Sequence, residues 1–218
     1  MRIILFGSQG TLGSSLTKEL QEKKYNLFLF QHRIKIRENK YISIINDEII
    51  NKKKIVFNKS DILIYLAWGK LDNYFSKKHL TEELPDHYNK INKMIKLGVK
   101  NIICAGTCFE YGLQDGELSE KKLAKPVIPY AIAKNNLRKK LQLLRKKNYF
   151  KLTWLRIFYI YNNDVYNNNL WSSIHLALKE KKKLFKMSSG IQKRDYVDLK
   201  KFNNYVIKII NKNKSLGI

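Results

Sequence analysis

The chain opens Met1-Arg2-Ile3-Ile4-Leu5-Phe6-Gly7-Ser8-Gln9-Gly10-Thr11-Leu12-Gly13, an apolar run that passes directly into three evenly spaced glycines. A short unbroken apolar run reads as a buried strand, and Leu12, Leu16 and Leu20 recur at helical spacing behind it. The glycines therefore occupy a strand-to-helix turn. Gly7 permits the tight bend, Gly10 lets the backbone approach a pyrophosphate, and Gly13 lets the helix pack closely on the strand. Phosphate would lie at the helix N-terminus, where unpaired amides and the helix dipole favour negative charge. An ordinary strand-to-helix turn is the alternative, but a second strand-like run follows at 26–30, the context a dinucleotide-binding βαβ unit requires. Gly7, Gln9, Gly10, Thr11, Leu12 and Gly13 are the candidate contacts of that turn.

Working outward, apolar runs at 2–6, 26–30, 41–45, 62–67, 101–105 and 151–157 alternate with helical stretches at 11–24, a long segment ending near Leu97, and 130–147. Such alternation predicts an α/β fold, a Rossmann-like doubly wound parallel sheet with right-handed crossovers and helices on both faces. After Tyr161 the pattern changes. An Asn-rich stretch (Asn162, Asn163, Asn167, Asn168, Asn169) precedes a helix near 170–179, a short strand near 184–187 and a last helix at 199–211. The expected division is a dinucleotide-binding domain at 1–160 and a small lobe at 161–218.

At 218 residues and 44% hydrophobic the chain can bury a sizeable core. No apolar run approaches the roughly 18 residues of a membrane span, and 1–6 is too short for a signal-peptide core, so a cytoplasmic protein without a membrane partner is expected. Cys104 and Cys108 are the only cysteines, spaced for neither a zinc site nor a disulfide framework, and no metal is expected. The net charge of +25 invites a nucleic-acid reading. Against it, the excess is mostly Lys, with only seven Arg, in short runs such as Lys52-Lys53-Lys54, without an RRM, KH or helix-turn-helix signature. No nucleic-acid partner is expected.

The reaction chemistry is read from Pro129-Tyr130-Ala131-Ile132-Ala133-Lys134. Four residues apart on a helix, Tyr130 and Lys134 share one face about 6 Å apart, so an ammonium can favour the phenolate and make the pair a general acid/base. A Lys-rich helix also produces this spacing as an exposed amphipathic turn. Thr107, just after an apolar strand-like run, is placed as a hydroxyl partner for the phenol.

Gly7-x-x-Gly10-x-x-Gly13, Leu66-Ala67-Trp68 after a strand, Thr107 four residues before Tyr111-Gly112, and Tyr130-x-x-x-Lys134 together resemble the extended short-chain dehydrogenase/reductases. Within them the chain is most similar to the NAD-dependent epimerase/dehydratase group acting on nucleotide-activated sugars. The segments at 155–161 and 190–197 fit the same pattern, so the resemblance covers nearly the whole chain. It implies that Ala67, Trp68, Gly69 and Ala105 border the cofactor, that Ile157 and Phe158 pack near the nicotinamide, and that Lys134 also holds the nicotinamide ribose. Tyr130 would carry the proton and Thr107 orient the reacting oxygen. The sugar nucleotide would meet Thr107, Cys108, Phe109 and Arg194 in the small lobe, Arg194 binding the diphosphate unless it merely pairs with Asp195 at the surface. A homodimer is compatible with the resemblance. The basic surface would favour capture of the anionic sugar nucleotide.

NAD users often carry an acid at the end of the second strand. Here the residues are Phe30-Gln31-His32-Arg33, without an acid. Arg33 can meet a 2′-phosphate, which favours NADP over NAD, or can simply be solvated.

Where 4,6-dehydratases have Asp and Glu after the Thr, this chain has Cys108 and Phe109, so elimination lacks its acids. The fucose-synthase type places a catalytic Cys where Phe109 stands; Cys108 is one residue out of register and reads as packing or pocket lining. Glu110 reads as a pocket acid or a structural hydrogen-bonding group. Carbonyl reduction remains, and the segments at 106–112 and 188–196 resemble those of reductases acting on 4-keto-6-deoxy sugars carried on a nucleoside diphosphate, which implies an NAD(P)-dependent reductase of a 4-keto-6-deoxyhexose serving surface polysaccharide synthesis. A nucleotide-sugar 4-epimerase and a catalytically weak dinucleotide-binding regulatory protein are the alternatives. Relatives usually continue past Lys214-Ser215-Leu216-Gly217-Ile218 into a segment covering the sugar nucleotide, so a shortened lobe is expected, with weak substrate affinity unless a partner subunit covers the site.

Overall fold

Ile4 and Phe6 belong to one buried layer and Ile3 and Leu5 to the other, so β1 (Arg2–Phe6) is apolar on both faces and must be covered on both. This computed structural model describes residues 1–31, 36–114, 116–162, 170–212 and 216–217. From β1 the chain runs through α1 (Thr11–Glu22), β2 (Asn26–Phe30), β3 (Ile42–Ile45), the short α2 (Asp47–Lys52) and β4 (Ile62–Tyr65). A π-helical turn (His79–Glu83) leads into α3 (Leu84–Lys96), followed by β5 (Asn101–Thr107), a 3₁₀ turn (Cys108–Tyr111), α4 (Pro129–Lys147) and β6 (Lys151–Ile157). The last elements are β7 (Tyr159–Tyr161), α5 (Leu170–Lys179), β8 (Tyr196–Asp198) and α6 (Leu199–Lys212).

The main sheet has the order β3-β2-β1-β4-β5-β6, and every pairing is parallel. The expected doubly wound α/β sheet is therefore the fold. Strand order reverses between β1 and β4, which opens a crevice at the carboxyl ends of the strands where such sheets bind ligands. One face is covered by α3 and α4 through residues such as Ile91, Met94, Leu137 and Leu141, the other by α1 and α6 through Leu16, Leu20, Phe202 and Val206. Arg2 and Asp61 lock the start of β1 beside β4: the carboxylate accepts from Arg2 N at 2.7 Å and from its guanidinium at 2.5 and 2.9 Å.

Two expectations need correction. The run at 184–187 is not a strand: Leu184 and Met187 are mostly exposed, so an apolar stretch there has nothing to bury against. The small second sheet is instead β7 paired in parallel with β8. The last helix returns to the main sheet. It packs on α1 and the sheet, with Asn203 Nδ2 donating to Ser15 Oγ at 2.8 Å and Tyr25 Oη to Asn211 Oδ1 at 2.8 Å. Strand ends shift slightly: β4 stops at Tyr65, while β5 runs on to Thr107, paired with Ile157. No helix among the described residues is long and apolar enough to cross a membrane.

Candidate active site

The three glycines of the turn differ in what surrounds them. Gly7 has φ +89°, and a Cβ on it would stand 2.7 Å from Ala67 N; one on Gly13 would stand 2.0 Å from Gly7 O. Both glycines are required by close backbone packing. Gly10 differs: a Cβ there would meet only Gly7 O, at 3.6 Å, so its open side is left for an approaching ligand. Gly10 caps α1 without a side chain, and the first-turn amides of a helix have no intrahelical acceptor. Gln9 Nε2 donates to Gln31 Oε1 at 3.0 Å, tying the turn to the end of β2. A dinucleotide's pyrophosphate fits this cradle. Arg33 lies outside the described residues.

A cavity of about 660 Å³ opens beside the turn. Its lining includes Thr11, Leu12, Trp68, Ala105, Lys134, Ile157 and Phe158, together with Thr107, Cys108, Phe109, Tyr130 and Arg194. The sequence-predicted cofactor and substrate residues are thus largely brought to one space. Gly7, Gln9, Gly10, Gly13, Ala67 and Gly69 do not line it.

Pro129 begins α4, a position where its missing N–H does no harm. The next amide, Tyr130 N, donates to Tyr74 O at 3.1 Å. One turn on, Lys134 is buried among Ala131, Ala133 and Leu137, whose small or apolar side chains let α4 approach β5. Its Nζ donates to Ala105 O at 2.8 Å and stands 4.2 Å from the Trp68 ring centroid. Burial lowers its pKa to about 8.

Thr107 is buried at the end of β5 and lines the cavity with Tyr130, whose pKa it acts to lower. It is held by a capping box: Thr107 Oγ1 accepts from Phe109 N at 3.3 Å while Thr107 N donates to Glu110 Oε1 at 2.9 Å. Glu110 is completely buried, accepts from Trp154 Nε1 at 2.9 Å and from Arg156 Nε at 3.2 Å, and lies 3.7 Å from Arg138 Nε. Of its two readings, the structural one holds. Cys104 is buried with its thiol pushed up to about 12, which leaves it inert, whereas Cys108 lines the cavity with its pKa also raised by burial.

The expected depression of the Tyr130 pKa is not what the site shows. Burial raises it, Tyr74 adds to the rise, and Thr107 only partly opposes them. The Lys134 ammonium lies 6.0 Å from the Tyr130 ring centroid, spent on Ala105 O and Trp68. The phenol is therefore held as an acid.

Several lining residues escaped the sequence reading: Leu71, Tyr74, Tyr159, Trp171 and Tyr196 among them. The aromatics converge from separate segments and carry no spacing signal. Tyr74 and Phe109 flank Tyr130, with ring centroids 5.0 and 6.5 Å away. Arg194 lies over the Tyr159 ring at 4.7 Å and donates to its hydroxyl, so it faces the cavity rather than a surface pairing with Asp195. Also unforeseen is a relay behind the β4 loop. Tyr65 Oη donates to His87 Nδ1 at 2.6 Å, His87 Nε2 to Glu83 Oε2 at 3.0 Å, and Gly69 N to the same oxygen at 2.8 Å. Burial drives His87 to a pKa of about 3, so its contact with Glu83 is a hydrogen bond from a neutral imidazole rather than an ion pair.

A glycine turn at the switch point of a 3-2-1-4-5-6 sheet, with Tyr, Lys and Thr around the adjoining cavity, defines a protein of the short-chain dehydrogenase/reductase class. Within that class the chain belongs to the NAD dependent epimerase/dehydratase family, whose profile it matches over residues 3–217. It is 31% identical over 207 residues to the dTDP-6-deoxy-L-talose 4-dehydrogenase (NAD(+)) of Aggregatibacter actinomycetemcomitans, a match covering 92% of this chain and 76% of that one. Among solved structures it is similar to UDP-glucuronic acid 4-epimerase from Bacillus cereus in complex with NAD, with TM-score 0.82 and 19% identity over 99% of this chain and 75% of that one. The UDP-glucose 4-epimerase of Thermotoga maritima with UDP-glucose has TM-score 0.70 and 19% identity, covering 94% and 71%. These two share the fold.

Proposed function

We propose that the protein is an NAD(P)-dependent oxidoreductase of a nucleotide-activated sugar, reducing a 4-keto-6-deoxyhexose in the supply of a deoxysugar for surface polysaccharide. The observation that carries this is Tyr130, a phenol kept protonated by burial and facing the same cavity as Thr107, beside Cys108 and Phe109 rather than elimination carboxylates. Gly7, Gly10, Gly13 and the N-terminus of α1 would cradle the dinucleotide's pyrophosphate, with Trp68, Ala105, Ile157 and Phe158 around its nicotinamide half. When bound, the dinucleotide supplies the hydride. Tyr130 gives its proton to the carbonyl oxygen as that oxygen becomes an alkoxide. Thr107 orients the oxygen, and the Lys134 ammonium, drawn toward the phenol, stabilises the charge left on Tyr130. Arg194, backed by Tyr159, meets the diphosphate by charge-assisted hydrogen bonds. The curated relative is named for the reverse direction at the same ring carbon, and Tyr130 then acts as the base. The small lobe of β7, β8 and α5 supplies the sugar side.

The NAD(+) in that relative's name supports NAD, whereas Arg33 supports NADP; titration with both reduced forms decides. The test of function is a cofactor-consumption screen against nucleoside-diphosphate 4-keto-6-deoxyhexoses. Net loss of NADH or NADPH with formation of the deoxyhexose is expected. Interconversion of 4-epimers without net consumption would make the protein an epimerase, and cofactor binding without turnover of any sugar nucleotide would make it a binding protein.

A further inference from the structure

Tyr74 has no part in the roles assigned above, yet its ring is the nearest to the Tyr130 ring among the described residues, 5.0 Å between centroids at 28°. It comes from the loop after β4, far from Tyr130 in sequence, and is held there from both sides. Its carbonyl accepts the Tyr130 amide at 3.1 Å. Next to it, Asn73 O accepts from His79 Nε2 at 3.0 Å, and His79 Nδ1 accepts from Trp68 Nε1 at 3.1 Å. Asn73 Oδ1 also accepts from Phe75 N at 3.0 Å. The loop is thereby stapled to the cofactor-side tryptophan at one end and to the first turn of α4 at the other. Tyr74 still keeps 38% of its surface exposed, so one part of its ring is left to line the cavity while the rest packs on Tyr130 and Phe109.

A tyrosine in the first turn of a helix has few neighbours on its own element to fix its ring, because the preceding turn is missing. Here those neighbours come from other segments: Tyr74 at 5.0 Å and nearly parallel, then His79, Trp68 and Phe109 at 5.3, 6.0 and 6.5 Å and steeply inclined. We propose that Tyr74 is a positioning residue for Tyr130: its ring clamps the reacting phenol in the orientation that reaches Thr107 and walls off the sugar side of the cavity from water. The ring, rather than the hydroxyl, performs the clamp. The proposal rests on Tyr130 being the proton donor, but its physical content, the orientation and dryness of that phenol, is measurable without any substrate. The titratable groups facing Tyr130 are Tyr74, His79, Cys108, Glu110 and Lys134. Of these only Tyr74 is altered in the test, and its backbone hydrogen bond to Tyr130 survives any side-chain change.

The experiment compares wild type, Tyr74→Phe and Tyr74→Ala by NMR of protein carrying ¹³C-labelled tyrosine, with the Tyr130 signal assigned from Tyr130→Phe. Wild-type Tyr130 should remain untitrated to about pH 11, and in Tyr74→Ala its titration should move toward the ordinary tyrosine value near 10. With a substrate from the screen above, Tyr74→Ala should lower kcat by about 10- to 100-fold, the scale of a misplaced reacting group, with the Kd for reduced dinucleotide within about 2-fold. Tyr74→Phe, which keeps the ring, should restore most of both losses. An unchanged Tyr130 titration in Tyr74→Ala overturns the proposal, as does a Phe variant as impaired as the Ala variant, which would assign the hydroxyl instead. Equal losses of Tm, cofactor affinity and kcat in Tyr74→Ala would also overturn it, since a merely structural loop gives that result. If no keto-sugar is turned over even by wild type, the functional reading fails while the NMR comparison still decides the positioning role.

Discussion

Tyr130 and Lys134 are driven in opposite directions by the same burial: the phenol is pushed to hold its proton, the ammonium to lose one at a pH of about 8. For a reductase that is a usable pair, a ready acid beside a cation that can be drawn onto the charge it leaves. Tyr130→Phe removes only the titratable oxygen, so turnover should be abolished while dinucleotide affinity, read by calorimetry, stays within about a few-fold. Lys134→Met should weaken both binding and rate, since its ammonium serves both. The sign for pH follows from burial disfavouring the charged lysine: the reductive rate should fall as pH rises through about 8 in the wild type, and Lys134→Met should lose that limb. A rate flat across that interval would mean that Lys134 is not a working cation. The pair was legible in sequence because helical spacing fixes which residues share a face. Its electrostatics were not, since spacing says nothing of Ala105 O or of Trp68, which hold the ammonium away from the phenol.

The elements that sequence foretold are those with local signals. Apolar strands joined by glycine turns and amphipathic helices declared all six strands of the main sheet, whereas β7 and β8 are three residues each and exist only through pairing across a long separation. The glycine turn is a direct test of the local reading. Gly13→Ala places a methyl against Gly7 O and should destabilise the fold by on the order of 2 kcal/mol or more, as overpacking does. Gly10→Ala meets nothing closer than 3.6 Å, at an ordinary φ of −79°, so chemical denaturation should find stability within about 1 kcal/mol of wild type. Its dinucleotide affinity should nevertheless fall. The relay through His87 was illegible because a buried histidine on α3 looks like any polar interruption of an amphipathic stripe. Its folded pKa of about 3 lies below the unfolded value of 6.5, so the unfolded chain binds more protons between them. Stability contributed by neutral His87 is full above 6.5 and drains as pH falls toward 3, by about 2 kcal/mol at pH 5. His87→Gln keeps a polar group without the titration, so its stability should decline less between pH 7 and pH 5 than the wild type's. Parallel declines in urea unfolding would show that His87 is not the group responsible.

At the scale of the whole molecule, the charge is the property no single element accounts for. With 43 basic and 18 acidic side chains, pairs such as Lys52–Glu48, Lys78–Glu82 and Lys182–Glu180 can neutralise only a minority of the lysines. Such exposed pairs contribute roughly 0–1 kcal/mol each, so the net field of +25 is set by repulsion. That field acts on folding and on ligand capture with opposite signs. Raising ionic strength from about 0.01 M to about 0.1 M shortens the screening length from about 30 Å to about 10 Å. Repulsion within the folded chain then weakens, and the thermal midpoint should rise. Attraction of a doubly anionic sugar nucleotide weakens as well, so kcat/KM should fall while kcat, which concerns a substrate already bound, stays constant. Both changes should flatten beyond about 0.2 M, where screening is nearly complete, whereas a general salting-out effect would keep raising the midpoint. A midpoint that falls with added NaCl would mean that the attractive pairs outweigh the excess of lysine. A kcat/KM indifferent to salt would mean that the basic surface serves some purpose other than delivering substrate to the cavity.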